Sequence, residues 1–458
     1  MTRQLIIAVV GVVAVIGGAG CTAFSRADSP CVDGDCPGGL VCVADRCVVA
    51  GGEGEGEGEG EGEGEDGSAL LIPFGDTAPE AVLEVDDGLL VAWTQLSDDA
   101  TPLLPAPTDG LQRVGLARLP FAGAATVLAD SGPLVGAFLI DAAVTSGGAV
   151  IALQAAAPMT LGACVTPGAA DGMLIATIAD AAQCTVELAA FPADDASMFL
   201  QRVAVADDGA IGFVVASEPG ITFVDHPERP TGPRTVGVLR AGALTFTDLT
   251  GFANDLVVNT RAVVVGLKND RPWLQTDDGL DLTTPGTGTF EWTIAEALPD
   301  GDVLVAGSGT GVVDGADCTT ASDGELRTVV ARLAGDTLQP RWGRGLCSAP
   351  TGSVGIDALV PEPARGLVHL LGSSDATIAF ADTDVAVSPR DGDDVTGYLL
   401  SLDLDDGVPQ AGRPAPFGRF VSARMLSDGR LAVALVAVAR ADFDGVEVAK
   451  GAIVITRP

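Results

Sequence analysis

Between Ser68 and Pro458 the apolar residues fall in runs of four to eight, rich in Val, Leu and Ala, with almost no sustained helical periodicity. Runs of that length bounded by glycine, proline and aspartate predict short strands joined by turns. A glycine followed by such a run recurs at Asp87-Gly88-Leu89, Gly147-Gly148-Ala149, Asp208-Gly209-Ala210, Asp300-Gly301-Asp302, Arg365-Gly366-Leu367 and Asp428-Gly429-Arg430. The intervals between these glycines are 60, 61, 92, 65 and 63 residues. The long interval has room for one degenerate copy around Arg261-Ala262-Val263-Val264-Val265.

Each anchor follows a strand-like segment, such as Phe138 to Val144, Trp292 to Leu298 or Val421 to Leu426. An Asp-Gly pair between two apolar runs is tight-turn chemistry, so each anchor joins the first two strands of a unit. After a variable loop comes a third run, for example Gly115 to Leu119, Leu174 to Ile178, Val236 to Arg240, Val329 to Leu333, Tyr398 to Leu402 and Ile453 to Arg457. A fourth strand fits the residues that remain. Four strands in about 60 residues, repeated, predict an all-β fold: a single β-propeller, with seven blades favoured and six possible. The last unit ends after its third strand, so Leu70 to Gly75, at the start of the domain, is expected to supply the fourth and close the ring. Two β-sandwiches or an open solenoid are the competing architectures.

Nine cysteines are present. Cys164 and Cys318 stand 16 and 17 residues after Gly148 and Gly301, the same point in their units, and Cys184 and Cys347 each follow a third strand. The expected bridges are Cys164 to Cys184 and Cys318 to Cys347. Cys31, Cys36, Cys42 and Cys47 form a C-x4-C-x5-C-x4-C cluster with turn residues between them. So short a segment cannot bury a core, and two disulfides of open connectivity are the expected substitute. Zinc is the rival reading, but the spacing lacks C-x2-C pairs.

Leu5 to Phe24 is a stretch of 20 uncharged residues, sufficient to cross a hydrocarbon core of about 30 Å as an uncleaved anchor. Gly17, Gly18 and Gly20 crowd its end, which favours a signal segment with a cleavage region over a stable helix. Ala19, Gly20 and Cys21 resemble the lipobox of bacterial lipoproteins, although Gly18 stands where that family usually has an aliphatic residue. The resemblance implies cleavage before Cys21 and lipid attachment to its thiol, which would account for the odd cysteine; Thr22 implies transfer to the outer membrane. The four-cysteine cluster resembles short modules that follow lipoboxes in bacterial surface proteins. Glutamate alternates with glycine from Glu53 to Glu65, and Gly51 to Gly67 reads as a solvated, disordered tether that could extend to about 55 Å. The expected organisation is a signal peptide over 1–20, a lipidated four-cysteine module over 21–50, a linker over 51–67 and the propeller over 68–458.

The formal charge is −37, which repels phosphate backbones and argues against a nucleic-acid partner. Only two histidines occur, His226 in a loop and His369 within an apolar run. No G-x-S-x-G, H-E-x-x-H or phosphate-binding G-x-x-x-x-G-K is present. Asp391 to Asp394 and Asp442 to Glu447 are the densest acidic groups, but neither completes an EF-hand pattern, and no metal or cofactor is expected. Trp93, Trp273, Trp292 and Trp342 lie in or beside apolar runs and read as core.

The whole chain resembles exported bacterial lipoproteins that join a cysteine module, a low-complexity tether and a propeller of degenerate repeats. That resemblance implies display at the cell surface, held to the outer membrane by an N-terminal lipid, with no reaction attached; a monomer is expected. The leading expectation is a non-enzymatic binding module that meets a protein or glycan through the loops after each second strand, such as Ser97 to Gly110, Pro227 to Pro233 and Asp382 to Asp394. The alternative is a propeller enzyme acting on extracellular glycan or peptide through channel carboxylates.

Overall fold

The computed structural model describes residues 40–43, 46–49 and 70–458, except 76, 86–87, 96–112, 122–125, 132–137, 146–147, 156–159, 162, 166–171, 181–182, 193–197, 218–220, 284–285, 288, 311, 314–325, 347–352, 380–383, 389–394, 416–417, 438–440, 444–445 and 449–450. Two units, Met1–Glu65 and Asp66–Pro458, make up the chain. In the first, Leu40–Val43 and Arg46–Val49 pair as an antiparallel hairpin that sets Cys42 opposite Cys47. Residues 1–20 and 51–67, where a signal segment and a linker are expected, lie outside the described residues, as do Cys21, Cys31, Cys36, Cys318 and Cys347. Among the described residues no helix is long and apolar enough to cross a membrane.

The second unit is a seven-bladed β-propeller of antiparallel sheets. Blade 1 comprises Thr77–Val85, Gly88–Gln95, Arg113–Pro120 and Thr126–Asp130. Blade 2 has Phe138–Thr145, Gly148–Ala155, Gly172–Asp180 and Gln183–Pro192. Blade 3 follows with Met198–Val205, Ile211–Ser217, Arg234–Arg240 and Ala243–Asp248. The strands of blade 4 are Phe252–Val258, Ala262–Lys268, Arg271–Thr276 and Asp281–Thr283. Those of blade 5 are Phe290–Ala297, Val303–Thr310, Leu326–Leu333 and Pro340–Leu346. Blade 6 contains Val354–Glu362, Leu367–Ser374, Thr396–Asp403 and Pro409–Ala415. Blade 7 takes Gly418–Met425, Leu431–Ala437 and Gly451–Thr456 from the C-terminus, and its outer strand is Leu70–Gly75.

That outer strand closes the ring as the sequence led us to expect, with Leu71 opposite Val454 and Ile72 opposite Ile453. The degenerate unit is blade 4, whose second strand begins at Ala262. Its second and third strands are joined by the two-residue turn Asn269-Asp270, both at positive φ (53° and 60°), the geometry that matches hairpin twist. A blade with no long loop and no Asp-Gly anchor explains the single 92-residue interval.

No blade has a core of its own. The buried apolar residues form seven clusters, each lying between two consecutive blades. The all-buried strand Gly88–Gln95 shows how alternation achieves this: Leu89, Val91 and Trp93 face blade 7, while Leu90 and Ala92 face blade 2. The same division holds in blade 7, where Leu431, Val433 and Leu435 face blade 6 and Ala432 and Ala434 face blade 1. Closing the ring is thus what covers both faces of every sheet.

The seven first strands touch in sequence around the axis and line a central channel. Each carries a β-bulge at the same level, where the unpaired residue is Glu80, Ile140, Gln201, Asn254, Thr293, Asp357 or Val421. A bulge sharpens the local twist and turns two successive side chains to one side. The residues just before and two after it are buried at Pro79 and Val82, Leu200 and Val203, Trp292 and Ala295, and Ile356 and Leu359. In the remaining registers Ala81, Leu83, Val257, Ala358 and Val360 pack into the inter-blade cores, whereas Glu80, Asp141, Arg202, Asp255, Glu296, Asp357 and Arg424 are partly buried or exposed and border the channel.

Candidate functional site

The strand order places every second-to-third-strand connection on one face of the ring and every first-to-second turn on the opposite face. Six of the seven connections on the first face exceed ten residues, so this is the loop face. Ser97 to Gly110 and Asp391 to Asp394 lie outside the described residues. The loop of blade 3 is described from Ile221 onward, and there Ile221–Phe223 returns as a fifth strand on blade 2. Phe223 there packs 6.0 Å from Phe213 and 5.1 Å from Phe246, ring centre to ring centre. Pro227 to Pro233 runs beyond that anchor largely exposed, tied back where Asp248 accepts from Thr231 Oγ1 at 2.6 Å and from Gly232 N–H at 2.8 Å.

At the channel mouth on the loop face, two residues before the bulge, blades 3 and 4 present Phe199 and Phe252, which are 59% and 57% exposed. The guanidinium carbon of Arg234 lies 3.7 Å from the centre of the Phe252 ring, a cation–π contact. Glu291 occupies the same register of blade 5 and accepts from Asn254 Nδ2 at 3.0 Å. One step below the bulge are Asp141, Arg202 and Asp255 of blades 2, 3 and 4; Arg202 Nε stands 3.6 Å from Asp255 Oδ1. Deeper still are Glu296 of blade 5 and Arg424 of blade 7.

Side-chain oxygens directly below the bulges clasp neighbouring blades. Asp255 accepts from Leu256 N–H at 2.9 Å and from Ala295 N–H of blade 5 at 2.8 Å. Asp141 accepts from Ala142 N–H at 2.8 Å and reaches Val203 N–H of blade 3 at 3.5 Å. Ser422 Oγ of blade 7 accepts from Val82 N–H of blade 1 at 3.3 Å. These contacts satisfy backbone donors on an edge that has no further strand to pair with.

Burial within the ring, followed by repulsion from Asp255, pushes the Asp141 carboxyl up to about 7. Burial lifts Asp255 to about 6 against its backbone hydrogen bonds and Arg202. Glu296 rises to about 8, first from burial and then from Asp255 and Asp141, while Arg424 opposes the shift. These groups belong to different blades, so their interaction acts across the channel. Nearer the mouth, burial also raises Glu80 and Asp357, with Arg419 of blade 7 opposing both. The channel therefore holds carboxyls that change charge between about pH 6 and 8.

His369 is 1% exposed, with Nδ1 2.9 Å from Ser401 Oγ and Nε2 2.9 Å from Glu362 Oε2. Burial holds its pKa down. Serine, histidine and glutamate in a chain match a hydrolytic triad in composition, but Ser401 and Glu362 are each 6% exposed and no substrate could reach the hydroxyl. The chain is a satisfied polar link within blade 6. His226 lies in the exposed loop, Nδ1 3.9 Å from Glu228. The four tryptophans are core, between 0% and 9% exposed.

Cys164 and Cys184 are joined, their Cα atoms 5.3 Å apart. Thr160–Leu161 and Cys164–Val165 form a small hairpin beyond the second strand of blade 2, and Leu161 and Cys164 enter the core between blades 1 and 2. Asp442 and Glu447 are backbone register partners in a three-residue ladder. Among the described residues no group of three or more His, Cys, Asp or Glu side chains could hold a metal ion.

Sequence reasoning did not single out Phe199, Phe252, Asp141, Arg202, Asp255 or Glu296. A signal was present. Three consecutive first strands read Phe-x-x-charged: Phe138 to Asp141, Phe199 to Arg202 and Phe252 to Asp255.

No family model matches this chain, and no curated protein matches it. A crystal structure of the mitotic checkpoint complex contains a chain of similar shape, 11% identical, covering 85% of this chain and 97% of that one at a TM-score of 0.40. A quinohemoprotein alcohol dehydrogenase from Pseudomonas putida HK5 is 10% identical over 85% of this chain and 75% of its own, with a TM-score of 0.39. The seven-bladed assignment rests on the strand pairing of this chain itself.

Proposed function

We propose that this protein is a lipid-anchored, envelope-displayed binding module, and that its ligand meets the loop face of the propeller. The observation that carries this reading is the coincidence, on one face, of the long loops and two phenylalanines more than half exposed at the channel mouth. An exposed aromatic pair is costly to leave in water and is characteristic of contact surfaces. The lipobox-like Cys21 and the Gly-Glu linker support display away from a membrane, and among the described residues the loop face is the rim that combines long connections with exposed aromatic surface.

The test is retention of the full-length protein on arrays of extracellular glycans and peptides. A specific ligand should be lost when Phe199 and Phe252 are both changed to Ala or when Pro227 to Pro233 is replaced by Gly-Ser residues. Ligand retention unchanged by both variants would sink the loop-face reading. The raised carboxyls of Asp141, Asp255 and Glu296 favour a second reading, hydrolysis of such a ligand by acid and base groups of separated pKa. Turnover abolished by Glu296→Gln with binding kept would select it.

A further inference from the structure

We propose that the central channel receives a flexible aliphatic chain carrying ammonium groups, which enters between Phe199 and Phe252. This rests on the loop face being the face that meets ligand, and it names the chemistry of what enters.

The argument begins with the mouth. The Phe252 ring already carries one cation on its face, the Arg234 guanidinium at 3.7 Å, and its exposure together with that of Phe199 leaves aromatic surface for a second. An alkyl-ammonium chain suits such a mouth because its methylenes lie on the rings while the charge continues inward.

Below the mouth the charge is unbalanced. At the channel-facing registers described above, six acids (Glu80, Asp141, Asp255, Glu291, Glu296 and Asp357) face three arginines, Arg202, Arg419 and Arg424. The acids stand at successive depths. Two residues of strand separate the level of Asp141 and Asp255 from that of Glu296, about 7 Å, comparable with the spacing of nitrogens along a linear polyamine. A rigid or branched ligand could not follow this ladder. An anion would meet the acids with no compensating positive level.

A cation in the channel would lower the cost of ionising Asp141, Asp255 and Glu296: burial raises all three, and repulsion from neighbouring carboxylates adds to the rise at Asp141 and Glu296. Binding would therefore expel protons and tighten as pH rises. Adsorption of a polycation to an acidic surface lacks this signature, because exposed carboxylates are already ionised at pH 6.

The experiment is isothermal titration of the full-length protein with spermidine, and separately with a short lysine peptide capped at both ends, at 150 mM salt. Buffers of different ionisation enthalpy count the protons released. Spermidine alone binding identifies a free polyamine as the source, and the peptide alone binding identifies lysine side chains of a partner; either supports the proposal. The expected result is affinity about tenfold higher at pH 8 than at pH 6, with proton release near pH 7. Phe199→Ala and Asp255→Asn should each weaken binding about tenfold, whereas Asp207→Asn, on the opposite face, should leave it unchanged. Phe199 is mostly exposed, so its loss spares the core if Asp255→Asn fails to fold. No binding by either ligand, or binding that Phe199→Ala leaves intact without proton release, overturns the proposal. Array ligands retained through Pro227 to Pro233 would then still stand.

Discussion

Glu296→Gln isolates the most strongly raised carboxyl of the channel without changing its shape. In the folded protein this group holds its proton up to about pH 8, whereas its ordinary value is 4.5. The folded state binds the proton more tightly, so the stabilisation is complete below pH 4.5 and is lost as pH rises through about 8. At about 1.4 kcal/mol per unit the whole effect is about 5 kcal/mol, of which about 3 kcal/mol falls between pH 5.5 and 8.5. Glutamine cannot ionise, so the variant should not lose it. In thermal melts followed by circular dichroism, the drop in Tm from pH 5.5 to 8.5 should shrink in the variant by on the order of 5 °C. Equal drops in the two proteins would mean that Glu296 is not confronted by Asp255 and Asp141 in an enclosed channel, and the electrostatic description of the site would fail with it.

Three other perturbations test the frame. Deleting residues 68–75 should expose the edge of Gly451–Thr456 and produce concentration-dependent association in sedimentation velocity, because an unpaired strand edge recruits a partner; a stable monomer would contradict closure by this strand. A Cβ at Gly237 would lie 2.2 Å from Cζ of the fully buried Phe213, so Gly237→Ala should cost about 1–3 kcal/mol through overpacking, read as an earlier urea midpoint. Removing the Cys164–Cys184 bridge, whose partners are 20 residues apart, should cost about 3 kcal/mol by loop entropy, seen as a lower Tm for Cys164→Ala/Cys184→Ala. A reducing agent should have no effect on that variant through this bridge.

The ring was legible because turn chemistry repeats: Gly209, Gly301 and Gly429 occupy positive φ in first-to-second turns, and their recurrence exposes the unit. Closure was legible from the missing fourth strand at the C-terminus. Blade 4 was harder to see because it reverses at Asn259 to Arg261 and Asn269 to Asp270 without an Asp-Gly pair. The bulges left no trace at all. A bulge is a backbone event that Glu80, Ile140, Gln201 and Val421 serve equally well, so residue type does not mark it. Without the bulge the side-chain phase shifts by one, and Asp255 or Glu296 could be assigned to the core as readily as to the channel. The site was hidden for that reason. Recognising charged residues in first strands was not enough, since their direction depends on one unpaired residue in each.

The distribution of side chains around the channel separates what holds the ring from what can act in it. Below the bulge, blades 1, 6 and 7 carry Ala81, Ala358 and Ser422, small residues that contribute packing or one hydrogen bond to the next blade. Blades 2, 3 and 4 carry Asp141, Arg202 and Asp255 at that same level, and two of these also perform the clasp that Ser422 performs neutrally. A serine suffices for the structural task, so ionisable groups there exceed what the ring requires. Their cost is visible in the raised carboxyls, which burial and repulsion hold above the ordinary range. Directly below the bulge it falls on Asp141 and Asp255, on the arc that carries Phe199 and Phe252, while Glu80, Glu296 and Asp357 are raised at other levels of blades 1, 5 and 6. Charge concentrated beneath the exposed rings, at positions where neutral residues serve elsewhere in the same molecule, is the physical reason for assigning function to this arc.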